Sequence, residues 1–127
     1  MRSYDVAVAS LAIGAPSKWT DNLLTQHSIP HVISARRGVA RRITHPALIR
    51  IALIRQLHAS LGVSVADAVR IAAHLLESDT PAAYTSGQLT LVVDLRKLER
   101  DLNEKLTDVL ESAPAPRRGR PPTKPRT

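Results

Sequence analysis

Near the start of the chain, two short helices separated by a turn are predicted, the first from its apolar positions and the second from the break that precedes it. The first covers residues 5–13 and ends at Gly14, a residue type that often ends helices because it adopts a left-handed conformation without strain. The second covers residues 17–26, and we expect Ser17 to cap it. Two short helices joined by a few residues with a glycine are typical of a helix-turn-helix, although other small helical domains share this corner.

A β-hairpin is predicted next, after Pro30 ends the helical pattern. Residues 31–34 and 39–43 have the composition of two short strands, and residues 35–38 supply a turn with one glycine. Four arginines lie at or beside this turn: Arg36, Arg37, Arg41 and Arg42. Because so many guanidinium groups are poorly explained as core structure, we expect the hairpin to contact phosphates or a minor groove.

Two longer helices follow the hairpin. We expect Thr44 to cap the third helix, which tolerates Pro46 in its first turn and ends at Gly62. Ser64 begins a capping box for the fourth helix, which runs to about Leu76. The fourth helix is apolar around much of its circumference. It must therefore be buried, either in the domain core or at a subunit contact.

The last ordered segment is predicted to contain one strand and one helix. Residues 78–87 are interpreted as a turn-rich linker, and residues 88–93 alternate as a strand does. Asp94 is expected to cap a fifth helix with a narrow apolar stripe, formed by Leu95, Leu98, Leu102, Leu106 and Val109. We interpret this strand and helix as a dimerisation element; packing over the chain's own core is the alternative.

The composition narrows the class of protein. The 127 residues suit one domain with short appendages. The chain has no cysteine, which excludes disulfides, thiolate-bound zinc, iron–sulfur clusters and cysteine nucleophiles. No apolar run approaches the roughly 20 residues of a membrane span, and the N-terminus lacks the apolar region of a secretory signal. We therefore expect a cytoplasmic protein without membrane contact.

Charge is unevenly distributed along the chain. Lys and Arg number 18 against 11 Asp and Glu, a formal net charge of +7. Between Asp21 and Asp67 there is no acid, whereas eight of the eleven acids lie between Glu77 and Glu111. This segregation indicates one surface that faces a polyanion and a separate segment kept away from it. A basic surface that serves only solubility is the alternative.

The order of these elements resembles the winged-helix DNA-binding domain of the MerR family. The stretch from Ile43 to Ile71 carries most of the resemblance, with its Thr-capped helix and the turn Gly62-Val63-Ser64, and the whole covers about residues 4–77. The resemblance implies a mainly α fold with a β-hairpin wing and a second helix that enters the major groove. It implies groove contacts from Ser17, Lys18, Thr20 and Asn22, and wing contacts from Arg36, Arg37, Arg41 and Arg42.

The chain departs from the MerR family at two points. Where the family's second helix carries an Arg-Tyr-Tyr-like run, this chain has Asp21-Asn22-Leu23, and the carboxylate of Asp21 would repel phosphate. The long antiparallel coiled coil and the effector pocket of typical members are missing. Trp19, in the same helix, is expected to anchor that helix on the core; stacking on a nucleic-acid base is the alternative.

The C-terminal tail carries a second resemblance, to an AT-hook. The motif extends over residues 116–126, and its core is Arg118, Gly119, Arg120 and Pro121. Glycine lets the backbone lie at the floor of a narrow minor groove, while the arginines point into the negative potential of an A·T tract. The alternative is a disordered basic tail that adds non-specific affinity.

Other chemistry has little support in the residues. His27 and His31 are separated by Pro30, which breaks the helix that would align them as metal ligands. Neither a nucleophile-elbow pattern nor a glycine-rich phosphate loop is present, so we expect no enzyme activity, no metal and no cofactor. Three regions are predicted: a winged helix at 1–78, a linker, strand and helix at 79–112, and a disordered basic tail at 113–127.

These observations predict a protein that binds double-stranded DNA with a sequence or A·T preference. We expect a homodimeric transcriptional regulator or nucleoid-associated factor, located in the cytoplasm at the nucleoid. The alternative is a protein–protein interaction module, such as an antitoxin or a phage or plasmid assembly factor, with secondary DNA contact.

Overall fold

A computed structural model describes residues 2–34, 38, 40–79 and 81–112. Over these residues the protein is mainly helical, with two small antiparallel sheets. The helices are α1 (Val6–Ile13), α2 (Ser17–Gln26), α3 (His45–Leu61), α4 (Val65–Glu77) and α5 (Leu95–Ser112). The strands are β1 (Ser3–Tyr4), β2 (Val32–Ile33), β3 (Arg42–Thr44), β4 (Ala82–Ser86) and β5 (Leu89–Val93). None of these helices is both long and apolar enough to cross a membrane.

The first sheet joins the start of the chain to the predicted hairpin. Its strand order is β1-β3-β2, with Tyr4 and Val32 on either side of Ile43. The described strands β2 and β3 are shorter than the predicted pair. The sequence did not predict β1, because two residues are too few to show an alternation. Ile43 is completely buried, so this small sheet forms one wall of the core.

The first two helices form the predicted corner, with one correction at its second half. Asp5 caps α1 by accepting a hydrogen bond from the Val8 N–H (2.8 Å), and Gly14 ends α1 with a φ of 70°. Pro16, and not Ser17, occupies the N-cap of α2, and no side chain caps this helix. The prediction that Ser17 is the cap was wrong because the helix begins one residue earlier than expected.

The core is built around α3. The side chains of Leu48, Ile51 and Ile54 are completely inaccessible to solvent. Thr44 caps α3 as predicted: its hydroxyl accepts from the Ala47 N–H (3.5 Å) and donates to the carbonyl of His31 (2.6 Å). One threonine therefore begins the helix and also holds the loop that precedes β2.

One face of helix α4 packs on α3 in the chain's own core, one of the two predicted locations, while its opposite side is exposed. Ala68, Ala72 and Leu75 are its buried residues. Ser64 caps the helix by accepting from the Asp67 N–H (3.1 Å). The capping box is incomplete, since the Asp67 carboxylate accepts from Arg70 instead (3.2 Å).

Residues 82–86, which the sequence interpretation placed in a linker, form strand β4. It pairs with β5 through a two-residue turn in which Gly87 has a φ of 61°, a value that hairpin turns require and glycine adopts without strain. Arg70 ties the hairpin to α4, because its guanidinium donates to the Tyr84 hydroxyl (2.7 Å). The interpretation of these residues as a linker was therefore wrong. Alanine and serine have low strand propensity, so the residue pattern did not indicate a strand.

Helix α5 closes the core. Asp94 caps it as predicted, accepting from the Lys97 N–H (3.0 Å). Leu102 and Leu106, in the middle of the apolar stripe, are buried where α5 packs on α1 and α3. The stripe therefore packs over the chain's own core, the alternative to its use as a dimer seam.

Candidate nucleic-acid interface

The exposed side of α2 is polar. Of the four residues expected to face the groove, Ser17, Lys18 and Asn22 are exposed. Thr25 and Gln26 are exposed on the same helix. The sequence reasoning missed Gln26, although its position one turn after Asn22 was a usable signal. The side-chain amides of Asn22 and Gln26 each offer both hydrogen-bond donors and an acceptor to a base edge.

Thr20, the fourth expected residue, lies on the opposite side of α2. Its side chain is completely buried, and its hydroxyl accepts a hydrogen bond from Ser10 (2.7 Å). It shares the buried face with Leu23, one turn further along. The prediction that Thr20 faces the groove was therefore wrong. This buried hydrogen bond between the hydroxyl groups of Ser10 and Thr20 joins α1 to α2.

Trp19 anchors α2 on α3, as predicted. Its ring stacks on that of His58, with centroids 6.2 Å apart and an interplanar angle of 25°. The guanidinium carbon of Arg55 lies 5.0 Å from the centroid of the indole ring. Because Trp19 of α2 contacts both His58 and Arg55 of α3, this packing sets the orientation of the exposed face of α2.

Asp21 and Arg41 form an ion pair that connects α2 to the hairpin. The distance from the Arg41 guanidinium to the Asp21 carboxylate is 3.7 Å, and the side chains are 27% and 57% exposed, respectively. From the sequence alone, Asp21 was expected only to repel phosphate. Because it neighbours a guanidinium, its charge is partly offset at the surface.

Arg42 is used inside the fold. Its guanidinium donates to the carbonyl of Ser3 (2.8 Å) and to the hydroxyl of the same residue (3.2 Å), so it ties β3 to β1. The residue is half-buried. The structure therefore gives Arg42 a defined role in sheet formation. Arg41, by contrast, pairs with the exposed carboxylate of Asp21 at 3.7 Å.

Arg2 is a cation near this surface that the sequence analysis missed. It is exposed, and its guanidinium carbon lies 5.9 Å from the centroid of the Tyr4 ring. Only the pairing of β1 with β3 brings it beside the hairpin. No signal in the sequence connects these segments, which are about 40 residues apart.

The remaining expected contacts lie outside the described residues: Arg36, Arg37, Arg118, Gly119, Arg120 and Pro121. Among the described residues, no three His, Asp or Glu side chains lie close enough together to hold a metal ion. In comparisons with known proteins, no protein family, no curated protein and no solved structure matches this chain.

Proposed function

We propose that residues 2–77 form a winged helix of the MerR type and bind double-stranded DNA. The observation that carries the proposal is the exposed polar face of α2, which the pair Asp21–Arg41 connects to the hairpin. By sequence, that hairpin carries four arginines. The face is held at a fixed orientation by Trp19, and the stretch between Asp21 and Asp67 contains no acid. A rigid polar helix next to a cationic hairpin suits a major groove flanked by phosphates.

In this proposal the groups of the interface have different tasks. Ser17, Lys18, Asn22 and Gln26 face the base edges, because their short or flexible polar side chains are exposed on α2. Arg2, Arg36, Arg37 and Arg41 contact phosphates, which fixes the position of the protein without reading sequence. The tail, with its core at residues 118–121, lies in an adjacent A·T-rich minor groove.

The corresponding cellular role is that of a homodimeric transcriptional regulator or nucleoid-associated factor in the cytoplasm. The arrangement of charge supports this role. The acid-rich helix α5 packs on α1 and α3, and not on the exposed side of α2. The surface that meets DNA is thereby kept free of the protein's main concentration of carboxylates.

The proposal is tested by fluorescence anisotropy of the full chain on A·T-rich and G·C-rich duplexes across a salt series. We expect affinity to fall steeply with salt, since each phosphate contact changes the slope of log K against log salt by about 0.9. We also expect tighter binding to A·T-rich DNA. Absence of binding to both duplexes at about 50 mM salt, where a chain of charge +7 should bind at least non-specifically, would contradict it.

The second candidate is a protein–protein interaction module of the antitoxin or assembly-factor kind. Exposed apolar side chains favour it, above all Leu89 and Val92 on β5. Such a module often folds only with its partner. The present chain has its own closed core under α5, so cooperative thermal unfolding of the isolated protein would argue against partner-dependent folding.

A further inference from the structure

In the part of the chain that the structure describes, strand β5 forms an edge without the usual protection against pairing. Natural sheets protect their edges with charged side chains, proline, bulges or a covering element. β5 consists of Leu89-Thr90-Leu91-Val92-Val93, with neither charge nor proline, and its ladder with β4 runs without a bulge. In the described residues β4 is its only partner strand. Leu89 is 78% exposed and Val92 is 61% exposed.

The hydrogen bonds of the hairpin identify the backbone groups that face outward. Ser78 donates its hydroxyl to the carbonyl of Ala83 (3.2 Å), so that carbonyl points away from β5. In an antiparallel ladder the residue opposite then also points its N–H and C=O outward. Val92 is opposite Ala83, and Thr90, two residues earlier, has the same orientation. Both residues therefore present their backbone groups at the free edge.

We propose that β5 pairs antiparallel with β5 of a second copy, about a two-fold axis at Leu91, to form one continuous sheet across a homodimer. In this register Thr90 lies opposite the partner's Val92. These two residues exchange both backbone hydrogen bonds, and symmetry repeats the pair on the other side of the axis. The outward groups of Thr90 and Val92 are the ones that this register requires.

The same register covers the exposed apolar side chains. Leu89 lies opposite the partner's Val93, and Leu91 lies opposite its own copy, on the face that carries Tyr84. Val92 packs beside the partner's Thr90 on the other face, a pairing of β-branched side chains that sheets favour. Three strand spacings of about 4.8 Å separate the two β4 strands by about 14 Å, which leaves room for both α4 helices.

Charge favours a second copy over an unrelated strand. Two chains of charge +7 repel each other, and a neutral surface lets them meet with little local repulsion. Residues 80–93 contain no charged side chain, although 23% of the chain is charged. At the end of the paired strands, Asp94 comes opposite the partner's Gln88, which sets a carboxylate against an amide. The surface is thus electrostatically compatible with itself.

Sedimentation equilibrium of the full chain at about 0.5 M salt tests the dimer without involving DNA. We expect a mass near twice 13.8 kDa for the wild type. Val92→Lys should shift the protein to monomer, because the new charge lies at the paired edge. The matched control is Thr85→Lys, on the same face of β4 but away from the axis, and it should stay dimeric. Circular dichroism verifies that both variants fold.

A wild type that is monomeric at about 100 µM would overturn the proposal. A Val92→Lys variant as dimeric as the wild type would also overturn it, since the copies would then associate elsewhere. Neither result bears on DNA binding, which the anisotropy experiment measures separately.

The register has its own test, because the chain contains no natural cysteine. Residues opposite themselves in a non-hydrogen-bonded pair have Cα atoms about 4.5 Å apart, within the range of a disulfide. Leu91→Cys should therefore give a covalent dimer under mild oxidation. Leu89→Cys is the control: its two copies would lie about 13 Å apart, and it should cross-link slowly although Leu89 is the more exposed. Equal or reversed yields would overturn the register.

Discussion

At the scale of single residues, the pair Asp21–Arg41 changes the charge of the proposed interface. Taken alone, Asp21 places a carboxylate in the middle of the exposed face of α2. The guanidinium of Arg41, 3.7 Å away, offsets that charge. Because exposed ion pairs contribute little to stability, Arg41 would exchange this carboxylate for a phosphate at small cost in the proposed complex. In the proposed complex with DNA, the pair would therefore weaken binding without blocking it.

The first prediction concerns Asp21→Asn, which removes the competing carboxylate and keeps the size of the side chain. We expect tighter binding to every duplex and a salt slope steeper by up to about 0.9, one additional phosphate contact. Anisotropy across a salt series measures both quantities.

The matched control is Asp67→Asn. Asp67 also pairs with an arginine, at 3.2 Å, and its side chain is 58% exposed, against 57% for Asp21. It lies on α4, so we expect no change in slope. An equal gain in both variants would show that net charge, and not the local pair, sets the affinity.

At the scale of elements, α5 shows that an apolar stripe does not identify its own partner. The spacing of its leucines correctly predicts an amphipathic helix, and the same spacing suits a dimer seam or a core. Leu102 and Leu106 are buried against α1 and α3 of the same chain. The helix is therefore part of the fold, and the free edge of β5 is left as the better surface for a second copy.

The second prediction follows from this packing. Leu106→Ala should lower the free energy of unfolding by about 2–5 kcal/mol, the usual cost of a cavity left by a buried leucine. Urea unfolding followed by circular dichroism measures it. Leu110→Ala, on the same helix but 41% exposed, should cost about 0.5 kcal/mol or less. Equal losses in the two variants would mean that α5 is not held by its buried seam.

At the scale of the whole molecule, charge is separated along the chain and between elements. The described hairpin lies in an acid-free stretch and α2 carries a single acid, Asp21, whereas α5 carries five of the eleven acids, Glu99, Asp101, Glu104, Asp108 and Glu111. The tail adds five bases without an acid. In the proposed complex a folded basic surface and a basic tail act on neighbouring parts of one duplex, so their contributions to affinity add through proximity.

The third prediction separates an AT-hook from a tail that is merely basic. Replacing both Arg118 and Arg120 with alanine should weaken binding to A·T-flanked sites more than to G·C-flanked sites, because arginine is attracted by the narrow minor groove. Replacing both Lys124 and Arg126 removes the same charge outside the motif core and should weaken both equally. Equal losses on both sites for the Arg118 and Arg120 variant would reject the hook.

The sequence by itself determined the local features of this protein. Gly14 and Gly62 end helices, and Thr44, Ser64 and Asp94 cap them, because each role depends on residues within one turn. The leucine spacing of α5 was readable for the same reason. The role of Trp19 as an anchor was also predictable, since a large aromatic ring on a short polar helix seldom remains in solvent.

Only the tertiary structure decided which surfaces meet. Strand β1, the burial of Thr20 and the bond from Arg42 to Ser3 depend on residues far apart in the chain, and no local pattern encodes such contacts. Strand β4 exists because β5 and α4 hold alanine and serine in an extended form that these residues do not favour alone. The position of α5 was also decided by contacts between residues far apart in the chain. Its apolar stripe would fit any apolar groove, and α1 and α3 of the same chain supply the nearest one.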